Sequence, residues 1–153
     1  MNALELLKQD HRKVDELFSQ FENAEDDKRK ERLFEQICQE LTIHTYIEEA
    51  VLYPALQKRE ELKDMVLEAI EEHRQVKKLI AESERLIEGS EKLDAKVKVM
   101  QEDVEHHVEE EENEMFPKAE QLFSREQLNE LGRQLEEAKR EFGKQPKTRS
   151  TAS

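Results

Sequence analysis

The sequence predicts an all-α protein, an up-down-up-down antiparallel four-helix bundle with a short fifth helix at its C-terminal end. Three observations carry this. Charged residues make up 41% of the 153-residue chain, Gly and Pro contribute three each and Trp none, so good helix formers such as Leu, Glu, Lys, Gln and Ala dominate. Apolar residues recur at spacings of three and four along four long stretches, the period of an amphipathic helix. The breaks between these stretches are short, which makes consecutive helices antiparallel neighbours.

The first helix runs from about Ala3 to Phe21, with a seam of Leu4, Leu7, His11, Val14, Phe18 and Phe21. A polar break follows at Ala24 to Asp27. The second helix runs from about Lys28 to Leu56 through Leu33, Ile37, Leu41, His44, Glu48, Val51 and Ala55, and Pro54 is expected to bend its last turn. Lys58 to Glu61 marks the next break. The third helix, about Leu62 to Ile87, carries Leu62, Val66, Ala69, His73, Val76, Ile80, Ser83 and Ile87. Gly89 and Ser90 end it and cap the fourth. The fourth helix runs from about Glu91 to Phe116 through Leu93, Val97, Met100, Val104, His107 and Glu111. Ser124 and Gln127 form a capping box for the fifth, which closes near Gly143. Residues 1–143 read as one domain. Residues 144–153 read as a disordered basic tail.

Four of these seams hold a histidine, and two hold a glutamate as well. The set is duplicated. His44 to Pro54 (HTYIEEAVLYP) matches His107 to Pro117 (HVEEEENEMFP) at an offset of 63 residues. Asp10-His11-Arg12-Lys13-Val14 matches Glu72-His73-Arg74-Gln75-Val76 at an offset of 62. In each long motif the His and Glu are four apart and share a helix face. Antiparallel helices place residues at one level when their midpoint falls in the turn. The midpoints of His11 and His44, Glu48 and His73, and His73 and His107 fall at 27.5, 60.5 and 90, inside three separately read breaks.

One histidine on an apolar seam is more often a hydrogen-bonded core residue than a ligand. Four histidines and two glutamates at one level are different, because unpartnered buried carboxylates are very costly. A metal turns that cluster into a coordination shell. Imidazole with carboxylate suits iron, manganese or zinc, and two carboxylates between two His clusters can bridge metals about 3.5–4 Å apart. The Glu-x-x-His arrangement of di-iron carboxylate bundles is absent, since Lys8, Leu41, Ile70 and Val104 stand three residues before the four histidines.

On these motifs the chain resembles a hemerythrin-like (HHE cation-binding) domain over roughly residues 3 to 121. The resemblance implies an oxo- or hydroxo-bridged pair of iron ions held by His11, His44, Glu48, His73, His107 and Glu111, with the two glutamates bridging. It implies binding of O2 or a related small oxidant such as peroxide or NO, in sensing or detoxification. Peroxide-decomposing or oxidase activity is one form this could take. The alternatives are an iron or other metal storage or transfer module, and a bundle that a metal such as zinc stabilises. Oxygen carriers of the family have a His-x3-His pair on the third helix; here Lys77 stands four after His73. This departure leaves two coordination positions open, which favours chemistry or sensing over carriage.

Other residues read more plainly. His106 lies about 100° round the helix from His107 and reads as a surface residue. Glu49 and Glu112 read as mainly solvated. Tyr53 and Phe116 are expected to pack beside the centre, and Tyr46 to line its pocket. Cys38, the single cysteine, reads as semi-buried and inert. A net charge of -13 argues against a nucleic-acid partner. No apolar run approaches the roughly 20 residues a membrane span requires. The lone cysteine and the N-terminus, which has no secretory pattern, fit the cytoplasm. The expected assembly is a monomer or weak homodimer, without an attached signalling domain.

Overall fold

The computed structural model describes residues 1–86 and 91–144, and every regular element among them is helical. The elements are α1 (Ala3–Asn23), α2 (Asp27–Ile47), α3 (Tyr53–Gln57), α4 (Glu60–Ser83), α5 (Glu91–Glu110), α6 (Phe116–Leu122) and α7 (Arg125–Gly143). The expected cap at Gly89 and Ser90 and all but the first residue of the expected tail lie outside the described residues. No helix among them is long and apolar enough to cross a membrane.

Local chemistry sets the ends. Asn2 accepts from the Glu5 backbone while Glu5 reaches back to the Asn2 backbone, a capping box at α1. Asp26 caps α2 through Arg29 N at 3.1 Å. Ser124 and Gln127 cap α7 reciprocally, as their spacing predicts.

The second and fourth arms depart from the single helices expected of them. Each contains one widened π turn, Glu48–Leu52 and Glu111–Met115. Tyr53 N–H reaches back to Glu48 O and Phe116 N–H to Glu111 O, one residue further than in an α turn. Pro54 and Pro117 then stand in the first turn of α3 and α6, where a missing N–H costs least. This is why the fourth arm continues past Phe116 to Leu122 rather than ending at the proline.

Two apolar cores lie on either side of the His/Glu level. One gathers Leu4, Leu7, Ile47, Leu52, Tyr53, Leu56, Leu62, Val66, Met115 and Phe116. The other gathers Val14, Phe18, Leu33, Ile37, Leu41, Val76, Ile80, Val97 and Met100. Cys38 is buried in this second core. The polar layer therefore sits between two dry layers.

Helix α7 covers the first core with Leu128, Leu131 and Leu135. It crosses the chain start so closely that a Cβ on Gly132 would meet Met1 O at 2.5 Å and Asn2 C at 2.9 Å. Backbone cannot yield as a flexible side chain does. Gly132→Ala is therefore expected to cost about 1–3 kcal/mol, although alanine is the better helix former. Urea unfolding checks this; a more stable variant would show that α7 can shift outward.

Candidate metal centre

The four histidines and two glutamates meet where the two cores part. Glu48 and Glu111 are 0% and 1% exposed, at the first positions of the two π turns. The widened turn lies between each glutamate and the aromatic residue five positions on, since Glu48 N–H still bonds His44 O as in an α turn, and π turns often mark functional positions. Glu48 Oε1 lies 3.3 Å from His44 Nε2, 3.0 Å from His73 Nε2 and 3.9 Å from His107 Nε2. Glu111 Oε1 lies 3.1 Å from His11 Nε2, and its Oε2 3.2 Å from His107 Nε2. Each carboxylate thus spans both histidine pairs. The result is two overlapping four-residue groups, His11, His44, Glu48 and Glu111 on one side and Glu48, His73, His107 and Glu111 on the other. Each offers ligand atoms within 4.8 Å of one another.

A second set of carboxylates orients the imidazoles. His11 Nδ1 pairs with Glu112 Oε2 at 2.6 Å, His73 Nδ1 with Glu49 Oε2 at 2.7 Å, and His107 Nδ1 with Glu72 Oε1 at 2.6 Å. His44 Nδ1 lies 3.3 Å from Asp10 Oδ2, whose other oxygen accepts from Lys139 Nζ on α7 at 2.7 Å. A carboxylate at Nδ1 holds the proton there and turns the Nε2 lone pair inward. Glu49 and Glu112 are thus partners of the centre rather than simply solvated groups. The signal was in the repeat. Asp10 and Glu72 each precede a duplicated His, and Glu49 and Glu112 each follow a duplicated Glu.

Tyr53 departs from that symmetry. Its hydroxyl donates to Glu111 Oε2 and lies 3.2 Å from Glu48 Oε1, 3.3 Å from His73 Nε2 and 3.5 Å from His107 Nε2. Its counterpart Phe116 has no hydroxyl and stacks on His11, with ring centroids 6.2 Å apart. A phenol from another helix therefore stands on the His73 and His107 side of the centre. Lys77 points away, with its ammonium 3.1 Å from Glu49. Tyr46 is outside the centre: it is 40% exposed and packs on Phe142. His106 is on the surface, as expected.

The donor set fits a pair of cations. Glu48 Oε2 and Glu111 Oε1 are buried and accept no hydrogen bond. His11 Nε2 and His44 Nε2 stand 3.2 Å apart, and two inward lone pairs at that distance repel unless a cation or proton lies between them. Protons would serve in the metal-free protein. Burial disfavours a charged His44, but Glu48 and Asp10 outweigh it and lift its pKa to about 10. His107 rises well above 6.5, again against burial, through Glu111. Burial pushes Glu48 up, but His44 and the other imidazoles bring it well below 4.5.

The sign of the pH dependence follows. A raised histidine pKa contributes stability that is complete below about pH 6.5 and lost as pH rises through about 10. A lowered glutamate pKa contributes stability that is present above about pH 4.5 and lost as pH falls below it. The metal-free protein should therefore melt progressively lower from pH 6.5 towards 10. With metal bound the alkaline loss should shrink, because metal requires deprotonated Nε2. Melting curves with and without chelator across this range check both trends; a flat metal-free curve contradicts the network.

Comparison with known proteins decides the family. The Hemerythrin HHE cation binding domain profile matches residues 2–119. The chain belongs to the hemerythrin HHE cation-binding domain family. A solved HHE structure shares the fold: the HHE cation binding domain-containing protein of Mycobacterium kansasii, a homolog of Rv2633c. It superposes with a TM-score of 0.80 at 27% identity, covering 93% of this chain and 87% of that one. A protein named DNA nickase from Nostoc sp. is 27% identical over 139 residues, which is 91% of this chain. This HHE chain spans only 39% of that relative's length.

Proposed function

We propose that this HHE domain is a non-haem di-iron protein that binds O2 or a related small oxidant, peroxide or NO, in sensing or detoxification. Its ligands are His11, His44, Glu48, His73, His107 and Glu111, in an up-down-up-down bundle. One observation carries the reading. Four imidazoles have their outer nitrogens held by carboxylates and their inner nitrogens aimed at two buried carboxylates, each with an unpartnered oxygen. The bundle order is supported by the cores: residues before His11 and His73 join the same core as residues after His44 and His107.

Iron would supply one-electron redox chemistry and coordination positions for a small ligand. The protein's own groups do the rest. Glu48 and Glu111 span the two histidine pairs. Asp10, Glu49, Glu72 and Glu112 fix ring orientation. Burial, with Glu111 and Glu48 beside it, raises the Tyr53 pKa, so the phenol stays neutral and keeps a proton inside the centre. Such a donor suits an oxidant whose reduction requires protons, which places peroxide decomposition and oxidase chemistry within reach.

A metal storage or transfer role is the second reading, favoured by a solvent-open pocket that reaches His107 and Glu111. DNA cleavage draws no support from this centre, and a net charge of -13 opposes binding to a phosphate backbone. The same proposal carries a cytoplasmic setting and a monomer or weak homodimer as its assembly.

The test is elemental analysis after anaerobic iron loading, followed by visible spectra on adding O2, peroxide or NO. Two irons per chain and a response to at least one oxidant are expected. Two irons without any response would favour storage; one iron or none would end the di-iron reading.

A further inference from the structure

The repeat relates α1 to α4 at an offset of 62 residues and α2 to α5 at 63. The two sides of the centre can therefore be compared position by position. On the His73 and His107 side, α4 and α5 part around a pocket of about 70 Å³, open to solvent, whose walls include His107 and Glu111. A water molecule needs about 10–15 Å³ of a pocket, so this one admits O2, NO or peroxide. Buried Ala69 and Met115 form its floor. Glu68, Glu72, Glu110 and Glu114 stand at its rim, and the lining contains no Lys or Arg.

The same positions on the His11 and His44 side are apolar. Leu6 stands where Glu68 does, Leu7 for Ala69, Ile47 for Glu110 and Val51 for Glu114. Leu6, Leu7 and Ile47 are buried and Val51 packs against their core. Helix α7 lies over this face, packed on α1, α2 and the first π turn. One face of a repeated bundle is thus sealed by apolar side chains and a helix. Its counterpart carries carboxylates, which are too costly to cover in the same way, and it stays open. Tyr53 is on the open side, 3.3 Å from His73 Nε2 and 3.5 Å from His107 Nε2.

We propose that the pocket between α4 and α5 is the entrance through which a small uncharged oxidant reaches the His73 and His107 side of the centre, and that its rim carboxylates turn anions away. A cleft lined by one sign of charge repels ions of that sign and leaves neutral molecules unaffected. O2, NO and hydrogen peroxide are uncharged at neutral pH; azide and superoxide are anions. The oxidant arrives beside the Tyr53 hydroxyl, which holds a proton there. What the entrance delivers rests on the reading of the centre as a di-iron site; the one-sided opening does not.

Two measurements on the full-length chain test this. The first uses metal-free protein and dissolved O2, whose paramagnetism speeds the NMR relaxation of methyl groups that it approaches. The methyls of Ala69 and Met115 should respond several-fold more than those of Leu7 and Leu52, their counterparts on the sealed side. Equal responses would overturn the one-sided entrance, whether or not iron binds. The second uses the iron-loaded, oxidised protein and compares azide with peroxide by stopped flow. Glu68 and Glu114 are exposed, so Glu68→Gln with Glu114→Gln leaves the packing intact. In that double variant the ratio of azide to peroxide rates should rise about tenfold, and added salt should erase the difference from wild type. An unchanged ratio overturns the charge filter. Ala69→Leu installs the residue of the sealed side and should slow both reagents together; wild-type rates in a variant with the wild-type iron spectrum would overturn the entrance. O2 at Ala69 and Met115 in a protein that takes up no iron would support the entrance and end the di-iron reading.

Discussion

Stripping the metal with a chelator is expected to lower the melting temperature by about 10 °C or more. An ion present at a thousandfold its dissociation constant stabilises the native state by about 4 kcal/mol, and each kcal/mol moves a domain of this size by about 2–4 °C. The metal-free state keeps Glu48 and Glu111 at 0% and 1% exposure, with two oxygens that no donor reaches. Glu111→Ala should abolish most of the chelator-sensitive gain, because it removes the carboxylate that spans both histidine pairs. Arg133→Ala, which breaks only exposed ion pairs on α7, should leave that gain intact. Equal melting temperatures with and without chelator would mean that no ion is bound at this level.

Tyr53→Phe should have the next largest effect, in two separable ways. The hydroxyl donates to Glu111 and lies 3.2 Å from Glu48 Oε1. Without it the metal-free protein loses a hydrogen-bond donor to the buried carboxylates, at a cost of about 1–3 kcal/mol. In the iron-loaded, reduced protein the same change removes the proton donor beside His73 and His107. Reaction with O2 or peroxide should then be slower by about tenfold, within the loss that removal of an outer partner commonly produces. Chemical denaturation of the metal-free form measures the first effect, and stopped-flow spectroscopy the second. If both stay at wild-type values, Tyr53 is packing alone.

Much of the centre was legible because helices are periodic. His44 with Glu48, and His107 with Glu111, are each four apart, so local geometry already places each pair on one face. Duplication and the turn midpoints added the level. What stayed hidden is non-local. Glu112 reaches His11 across 101 residues of chain, and Lys139 reaches Asp10 across 129. No spacing rule links such positions, although the repeat marked Glu49, Glu72, Asp10 and Glu112 as recurring.

The sequence by itself determined the all-helical class, the seams, the breaks at Ala24 to Asp27 and Lys58 to Glu61, and the six converging residues. Periodicity and turn chemistry are properties of neighbouring residues, so a linear reading finds them. Only the tertiary structure decided that Tyr53, rather than a residue at position 77, stands beside His73, and that Glu48 and Glu111 open π turns. It also decided that α7 touches the chain start at Gly132 and the His44 network through Lys139. Each of these depends on which atoms meet when separate helices pack, at distances of a few ångströms that helical periodicity does not specify.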